Sequence, residues 1–265
     1  INGLRPVVEI QFADYIFPAY DQIVNEMAKV RHRSGGEFWC PVTIRTPAGG
    51  GIRGGHHHSQ SPESQFTHTP GLKVVYCSTP YNAKGLLISA IEDNDPVIFF
   101  EPKRCYRGPF YGDPHNVPTW SDHPEAEVPE SHYKIPLGEA RLAMEGDRCT
   151  VISWGAMVHV CEQAIKSSGV SCDLIDLQTL VPWDVEAVVK SVAKTGRCVI
   201  VHEAPKTSGF GAEMAASIQE RCFWNLESPI ERVTGWDTPF PHTTEWDYMP
   251  GPDRVIAAIV RTQED

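Results

Sequence analysis

The 265-residue sequence lacks the short motifs that identify many common enzymes. It has no CxxC pair among its eight cysteines, no GxSxG nucleophile elbow and no phosphate-binding P-loop. The paired His and Cys spacing of a zinc finger is also missing, so a structural zinc site is not predicted. Several cysteines lie inside apolar runs, which favours buried, reduced thiols over a disulfide framework.

Long apolar runs and an excess of positive charge are missing as well. The longest apolar stretches, such as residues 96–100, have the length of a strand, and no signal peptide or transmembrane stretch is visible. With 23 Lys and Arg against 34 Asp and Glu, the formal net charge is −11. This balance argues against general binding of nucleic acids or other polyanions.

Strands and helices alternate along both halves of the chain. This alternation predicts an α/β fold of two domains with mainly parallel sheets flanked by helices. The first half is predicted to contain a buried strand at 7–12, a helix at 18–30, strands at 41–45, 72–77 and 96–103, and a helix at 80–93. The pattern resumes from residue 149 to residue 262, with one strand and its turn at 172–180. A Pro- and Gly-rich linker at about 105–135 separates the halves, so we place the domains at 1–130 and 131–265.

The most unusual segment is the glycine- and histidine-rich loop at residues 48–61. Its glycines permit positive φ and a close approach of the backbone to other groups. His56, His57 and His58 are consecutive, so their side chains diverge and cannot all face one site. The residues alone are compatible with three roles for a histidine here: a solvated side chain, a metal ligand, or a catalytic group at the edge of a sheet.

Three other segments carry weaker signals. The sequence GFGAE at 209–213 lacks the full dinucleotide-binding pattern and is predicted to open a packed helix. The sequence HEA at 202–204 ends a predicted strand, at the edge where open α/β sheets usually bind ligands. The acidic turn at 91–96 offers side chains that cap a helix, or oxygen atoms of the kind that hard cations prefer.

Three long stretches go beyond a generic α/β pattern. They are VVEIQFADYIFPAYDQIVNEMAK at 7–29, HSQSPE with HTPGLKVVYCSTPYNAKGLL within 58–87, and HEAPKTSGFGAE with ERVTGWDTPFPH within 202–242. Together they resemble β subunits of the thiamine-diphosphate-dependent 2-oxo acid dehydrogenases, in the transketolase-like superfamily, over essentially the whole chain. The segments ADYIFPAYDQ, HSQSPE and FFEPK resemble the branched-chain branch of that family more than the pyruvate branch.

This resemblance implies a pyrimidine-binding domain followed by a transketolase C-terminal domain. It implies oxidative decarboxylation of branched 2-oxo acids with acyl transfer to lipoamide, in a bacterial cytoplasm or a mitochondrial matrix. The implied partners are an α subunit that holds the diphosphate through a divalent metal, in an assembly of two α and two β chains, and a lipoyl acyltransferase core. Pyruvate or acetoin dehydrogenase β subunits and a non-catalytic assembly module remain alternatives.

The resemblance also assigns residues near the cofactor. It places Gln11 and Tyr15 at the pyrimidine of thiamine diphosphate, where an aromatic ring can stack; from the sequence alone, Tyr15 also fits a core aromatic. It places His58 near the reaction centre as a proton donor during acyl transfer, and it gives no role to His56 or His57. The family's pyrimidine-activating glutamate lies before Ile1, so we expect an N-terminally incomplete chain.

A structural monovalent cation, usually potassium, is a further implication of the resemblance. The matching ligand positions are Cys40, Val42, Thr43, Ala90, Asp93 and Asp95. Several of these positions act through backbone carbonyls in the family, so their side chains vary. Cys40 and Asp95 replace the usual Gly and Asn.

Overall fold

The computed structural model describes residues 1–106 and 126–264, and within them ten strands form two five-stranded sheets. The strands are β1 (Val7–Glu9), β2 (Thr43–Ala48), β3 (Lys73–Tyr76), β4 (Val97–Pro102), β5 (Arg141–Met144), β6 (Cys149–Ser153), β7 (Cys172–Asp176), β8 (Thr179–Val181), β9 (Cys198–Pro205) and β10 (Glu231–Gly235). Both sheets are mostly parallel and are flanked by helices, which confirms the predicted fold class. Most of the predicted linker lies outside the described residues.

Helices cover the sheets in both halves. In the described residues the α-helices are α1 (Val30–Arg33), α2 (Glu63–Thr67), α3 (Pro80–Glu92), α4 (Met157–Ser168), α5 (Val185–Thr195), α6 (Phe210–Cys222), α7 (Glu245–Tyr248) and α8 (Pro252–Glu264). The GFGAE segment opens α6, whose Phe210, Met214 and Ile218 are buried, so the prediction of a packed helix is confirmed. Among the described helices, none has both the length and the apolar character needed to cross a membrane.

One strand of the first sheet comes from the second half of the chain. The first sheet has the order β1-β2-β4-β3-β8, with β8 antiparallel to β3, and the second has the order β10-β9-β6-β7-β5, with β5 antiparallel to β7. Residues 172–180 are divided at Gln178, whose positive φ of 56° turns the chain from β7 into β8. The Tyr76 N–H donates to the Gln178 carbonyl at 2.9 Å, so backbone hydrogen bonds join the two halves.

The prediction of a buried strand at residues 7–12 is wrong in its burial and its length. Only Val7–Glu9 form a strand, and all three residues are exposed in this chain. Among the described strands it lies at the edge of the sheet and pairs only with β2, so few described atoms cover it.

Residues 18–30 are helical as predicted, but they do not form a uniform α-helix. A 3-10 turn at Phe17–Ala19, a π-helix at Gln22–Glu26 and a 3-10 turn at Met27–Lys29 precede α1. The fully buried residues in this segment are Ile23 and Ala28. They are five positions apart, which is the hydrogen-bond spacing of a π turn, so the π turn brings both onto the core-facing side.

The largest buried apolar cluster contains residues from both sheets. Val74 and Phe100 of the first sheet and Ile152 and Ile200 of the second belong to it. The two halves therefore pack through a shared core, and the segments at their junction are held from both sides. No disulfide joins the eight cysteines, all of which lie in the described ranges, as the prediction of reduced thiols requires.

Candidate active site

The loop that follows β2 places His58 at the carboxyl edge of the first sheet. A short 3-10 helix, Gly55–His57, precedes His58 and ends at it. His56 and His57 are exposed, whereas His58 is half-buried. His58 is therefore the least exposed of the three consecutive histidines.

Two aromatic rings from the segment after β1 pack against His58. The His58 ring lies 5.3 Å from the Phe12 ring and 5.8 Å from the Tyr15 ring, centroid to centroid, in edge-on arrangements. Tyr15 is 48% exposed, so it is not a core aromatic in this chain and part of its ring remains open for stacking. Gln11 is exposed and directly precedes Phe12. The predicted cofactor residues and the predicted catalytic residue therefore lie at one edge.

Lys103 is a buried cation at this edge that the sequence reasoning missed. Its ammonium lies 4.9 Å from the centroid of the Phe12 ring and donates to the Pro47 carbonyl at 3.4 Å. Burial lowers the pKa of Lys103 to about 8, and the nearby charge of Asp14 opposes that shift. The only sequence signal was its position at the end of a predicted strand.

The glycine run before His58 is explained by a close approach to Glu203 of the second half of the chain and to Arg104 of the first half. A Cβ on Gly49 would lie 2.7 Å from a carboxylate oxygen of Glu203, and a Cβ on Gly51 would lie 2.9 Å from the Arg104 side chain. Gly49 and Gly51 also have positive φ values of 81° and 93°. Other residues would be both strained and crowded at these two positions.

Two buried carboxylates from the second half accept hydrogen bonds from this loop. The Gly50 N–H donates to Glu203 Oε2 at 2.8 Å, and the Gly51 and Arg53 N–H groups donate to Glu245 Oε1 and Oε2, each at 2.6 Å. Burial raises the pKa of both carboxyls, and the N–H donors oppose the shift. The HEA segment hinted at Glu203, but no pattern in the sequence indicated Glu245.

A third carboxyl, Glu63 of α2, is buried between the halves. The Trp154 indole N–H donates to Glu63 Oε1 at 3.4 Å, and burial raises the Glu63 pKa to about 8. The Trp154 ring stacks on His202 with centroids 5.2 Å apart, and burial lowers the His202 pKa to about 4. Near neutral pH, both Glu63 and His202 are therefore predominantly uncharged.

The residues matched to cation ligands come together at the opposite edge of the first sheet. Those before and at the start of β2 are Cys40, Val42 and Thr43, and those before β4 are Ala90, Asp93 and Asp95. The two groups converge because Thr43 pairs directly with Val97 in the parallel register. This edge carries the amino ends of the strands, so it is remote from the edge that carries His58.

The charged side chains of this group already have cationic partners. Lys73 lies 2.5 Å from Asp93 Oδ2, and Arg31 lies 2.8 Å from Asp95 Oδ1. Within the described residues, the buried Thr43 hydroxyl has no hydrogen-bond partner, and no three His, Cys, Asp or Glu side chains cluster as a metal site. Of the side-chain oxygens at these positions, the Thr43 hydroxyl is thus the one that lacks a partner among the described residues.

Comparisons with known families match both halves of the chain. The family described as "Transketolase, pyrimidine binding domain" matches residues 1–109, and "Transketolase, C-terminal domain" matches residues 138–255. A solved structure described as "Split gene transketolase, inactive beta4 tetramer" has a TM-score of 0.74 over 99% of this chain and 77% of that chain. Its identity is 19%, so this likeness concerns the fold alone.

Curated relatives cover nearly the whole chain. The 2-oxoisovalerate dehydrogenase subunit beta of Pseudomonas aeruginosa is 56% identical over 99% of this chain and 75% of the relative. The mitochondrial 2-oxoisovalerate dehydrogenase subunit beta of Dictyostelium discoideum is also 56% identical, over 98% of this chain and 68% of the relative. The pyruvate dehydrogenase E1 component subunit beta of Acholeplasma laidlawii is 43% identical over 98% of this chain and 76% of the relative.

Proposed function

Because the chain belongs to the family of 2-oxoisovalerate dehydrogenase β subunits, we propose that it acts with an α subunit in the oxidative decarboxylation of branched 2-oxo acids. The reaction depends on thiamine diphosphate and passes the acyl group to lipoamide. The observation that carries the proposal is the grouping of His58 and Tyr15 at the carboxyl edge of the first sheet. That edge is where open α/β sheets bind ligands.

The exposed residues of this edge have separate roles in the proposal. Thiamine diphosphate supplies the carbanion chemistry of decarboxylation when it is bound. Tyr15 stacks on the pyrimidine through its open ring face, and Gln11 offers an amide for a polar contact beside it. His58 donates a proton through its imidazole N–H as the acyl group passes to lipoamide, while Phe12 and Tyr15 hold its ring.

The assembly and its location follow the same reasoning. The proposed enzyme is a heterotetramer of two α and two β chains, with the divalent metal on the α side, and it delivers acyl groups to a lipoyl acyltransferase core. Within this chain, the proposed domains are residues 1–130 and 131–265. Bacterial and mitochondrial relatives support a location in a bacterial cytoplasm or a mitochondrial matrix.

A structural potassium ion is part of the proposal at the opposite edge of the sheet. Support comes from the buried Thr43 hydroxyl, which lacks a hydrogen-bond partner among the described residues. The side chains of Asp93 and Asp95 are neutralised by Lys73 and Arg31, which suits an ion of single charge.

Pyruvate is the alternative substrate that a relative favours, because the Acholeplasma relative is a pyruvate dehydrogenase subunit. The chain reconstituted with its α subunit is expected to use 3-methyl-2-oxobutanoate with a kcat/KM at least about 10-fold above that for pyruvate, since each added methyl group contributes to binding. Steady-state decarboxylation of both acids tests this preference. A higher kcat/KM for pyruvate would exclude the branched-chain assignment, and α binding without turnover would favour the non-catalytic assembly module.

A further inference from the structure

The loop that carries His58 is held by the other half of the chain through one bidentate contact. The Gly51 and Arg53 N–H groups each donate at 2.6 Å to a different oxygen of the Glu245 carboxylate. Arg53 precedes His58 by five residues, so this contact fixes the backbone just before the short helix that presents the imidazole. Glu203 adds one contact, to the Gly50 N–H at 2.8 Å.

Glu245 is well placed to act as a fixed anchor. Its side chain is fully buried, and it begins α7. Arg254 of α8 donates to the Tyr248 carbonyl at 3.2 Å and to the Thr234 carbonyl at 2.6 Å, so α7 is tied to α8 and to β10. Motion of the loop relative to the second sheet therefore has to break contacts with an element that is itself held in place.

The chemistry of the contact requires a carboxylate. Two N–H donors lie against two oxygen atoms of one group, and only an ionised carboxylate offers two acceptors at that spacing. A Gln in the same place would turn its amide N–H towards one of the two donors. Glu203 accepts the Gly50 N–H through one oxygen, Oε2, so a Gln there can still accept that hydrogen bond through its carbonyl.

We propose that Glu245, in the second domain, is a positioning residue for His58. By accepting hydrogen bonds from the Gly51 and Arg53 amides, it holds the imidazole in place for acyl transfer. The inference rests on the proposed function, because it concerns the step in which His58 takes part. A displacement of about 1 Å in a group that must meet a reacting atom can cost on the order of 100-fold in rate. Glu245 therefore affects acyl transfer more than it affects the steps that do not use His58.

The test compares Glu245→Gln with Glu203→Gln in the reconstituted α/β holoenzyme. Three quantities are measured: thiamine diphosphate affinity, decarboxylation with an artificial electron acceptor, and acyl transfer to a lipoyl domain. For Glu245→Gln we expect acyl transfer to fall about 10- to 100-fold, with the other two quantities within about threefold of the unmodified enzyme. For Glu203→Gln all three quantities are expected to stay within about threefold.

The outcomes separate the inference from the proposed function. Unchanged acyl transfer in Glu245→Gln, or an equal loss in all three quantities, would overturn the positioning role. An unmodified enzyme that transfers no acyl group from any branched 2-oxo acid would instead overturn the proposed function. If Glu245→Gln does not fold, Glu245→Asp carries the test, because it keeps both oxygens on a shorter side chain and should show the same selective loss.

Discussion

Replacing His58 with Ala is expected to lower acyl transfer to a lipoyl domain by about 100- to 10,000-fold, the range that a positioned proton donor contributes. Decarboxylation of 3-methyl-2-oxobutanoate with an artificial electron acceptor should fall much less, because that assay bypasses lipoamide. His58 is the histidine whose ring packs against Phe12 and Tyr15 at this edge. When its imidazole is removed, neither neighbouring histidine takes its position. Rapid-quench measurement of acylated lipoyl domain gives the rate of the affected step.

His57→Ala is the matched control for that prediction. His57 is adjacent in sequence and exposed, and it makes its ring contact with His56 rather than with the aromatic residues around His58. Its replacement should leave acyl transfer unchanged. Equal losses in the two variants would show that the loop tolerates no change of side chain, and would remove the case for a specific role of His58.

The second large effect concerns the free energy of unfolding and its dependence on pH. Burial raises the pKa of Glu63 to about 8 in the folded chain, against 4.5 for an ordinary Glu carboxyl. The folded chain therefore binds the proton more tightly than the unfolded chain does, so stability is lost as pH rises from 4.5 towards 8. Over the whole window the loss is on the order of 4 kcal/mol for this single group.

Glu63→Gln is expected to remove most of that loss, because an amide of the same shape has no proton to release. Urea unfolding at pH 6 and pH 8.5 should show the unmodified chain losing about 2–3 kcal/mol more between the two conditions than the variant loses. Glu186→Gln, at an exposed position, is the control and should keep the original pH dependence. Parallel curves for the unmodified chain and Glu63→Gln would show that Glu63 is not the titrating group.

Burial also raises the pKa of Glu203 and Glu245, so these carboxyls change stability in the same direction as Glu63, whereas two buried basic groups act elsewhere in the pH range. Burial lowers the pKa of His202 to about 4. The uncharged imidazole therefore stabilises the fold fully above the ordinary histidine pKa, and this stabilisation is lost as pH falls towards 4. Burial lowers the pKa of Lys103 to about 8, so keeping this side chain charged destabilises the fold at lower pH. This destabilisation decreases as pH rises from about 8 towards the ordinary lysine pKa. Neither group gives the loss between pH 6 and pH 8 that is expected from Glu63.

The sequence predicted the local elements well where periodicity and burial agree. The alternation of strands and helices led to the two-domain α/β fold, and α3 appears close to the predicted residues 80–93 because its apolar positions repeat along one helical face. The helix at 18–30 was predicted, but its π turn was not, because its buried residues, Ile23 and Ala28, are five positions apart. Strand β8 was missed because its partner, β3, lies in the other half of the chain.

Only part of the site was predicted, because its other groups also come from distant parts of the chain. The glycine run at 49–51 stood out as unusual, but its cause, the approach of Glu203 and Arg104, lies far along the chain. Arg53 and Glu245 are 192 positions apart, and no local pattern marks a carboxylate that meets two amides only after the domains have packed. Resemblance to a family pointed to His58 and Tyr15, and the structure supplied the groups that hold them in place.

The most direct test of the account is the identity of the group that the reconstituted α/β enzyme places on a lipoyl domain. Mass spectrometry of the lipoyl domain after a single turnover, with 3-methyl-2-oxobutanoate and pyruvate supplied together, reports that group. The account predicts mainly the branched four-carbon acyl group derived from 3-methyl-2-oxobutanoate. A lipoyl domain that carries mainly an acetyl group, or no acyl group, would contradict it.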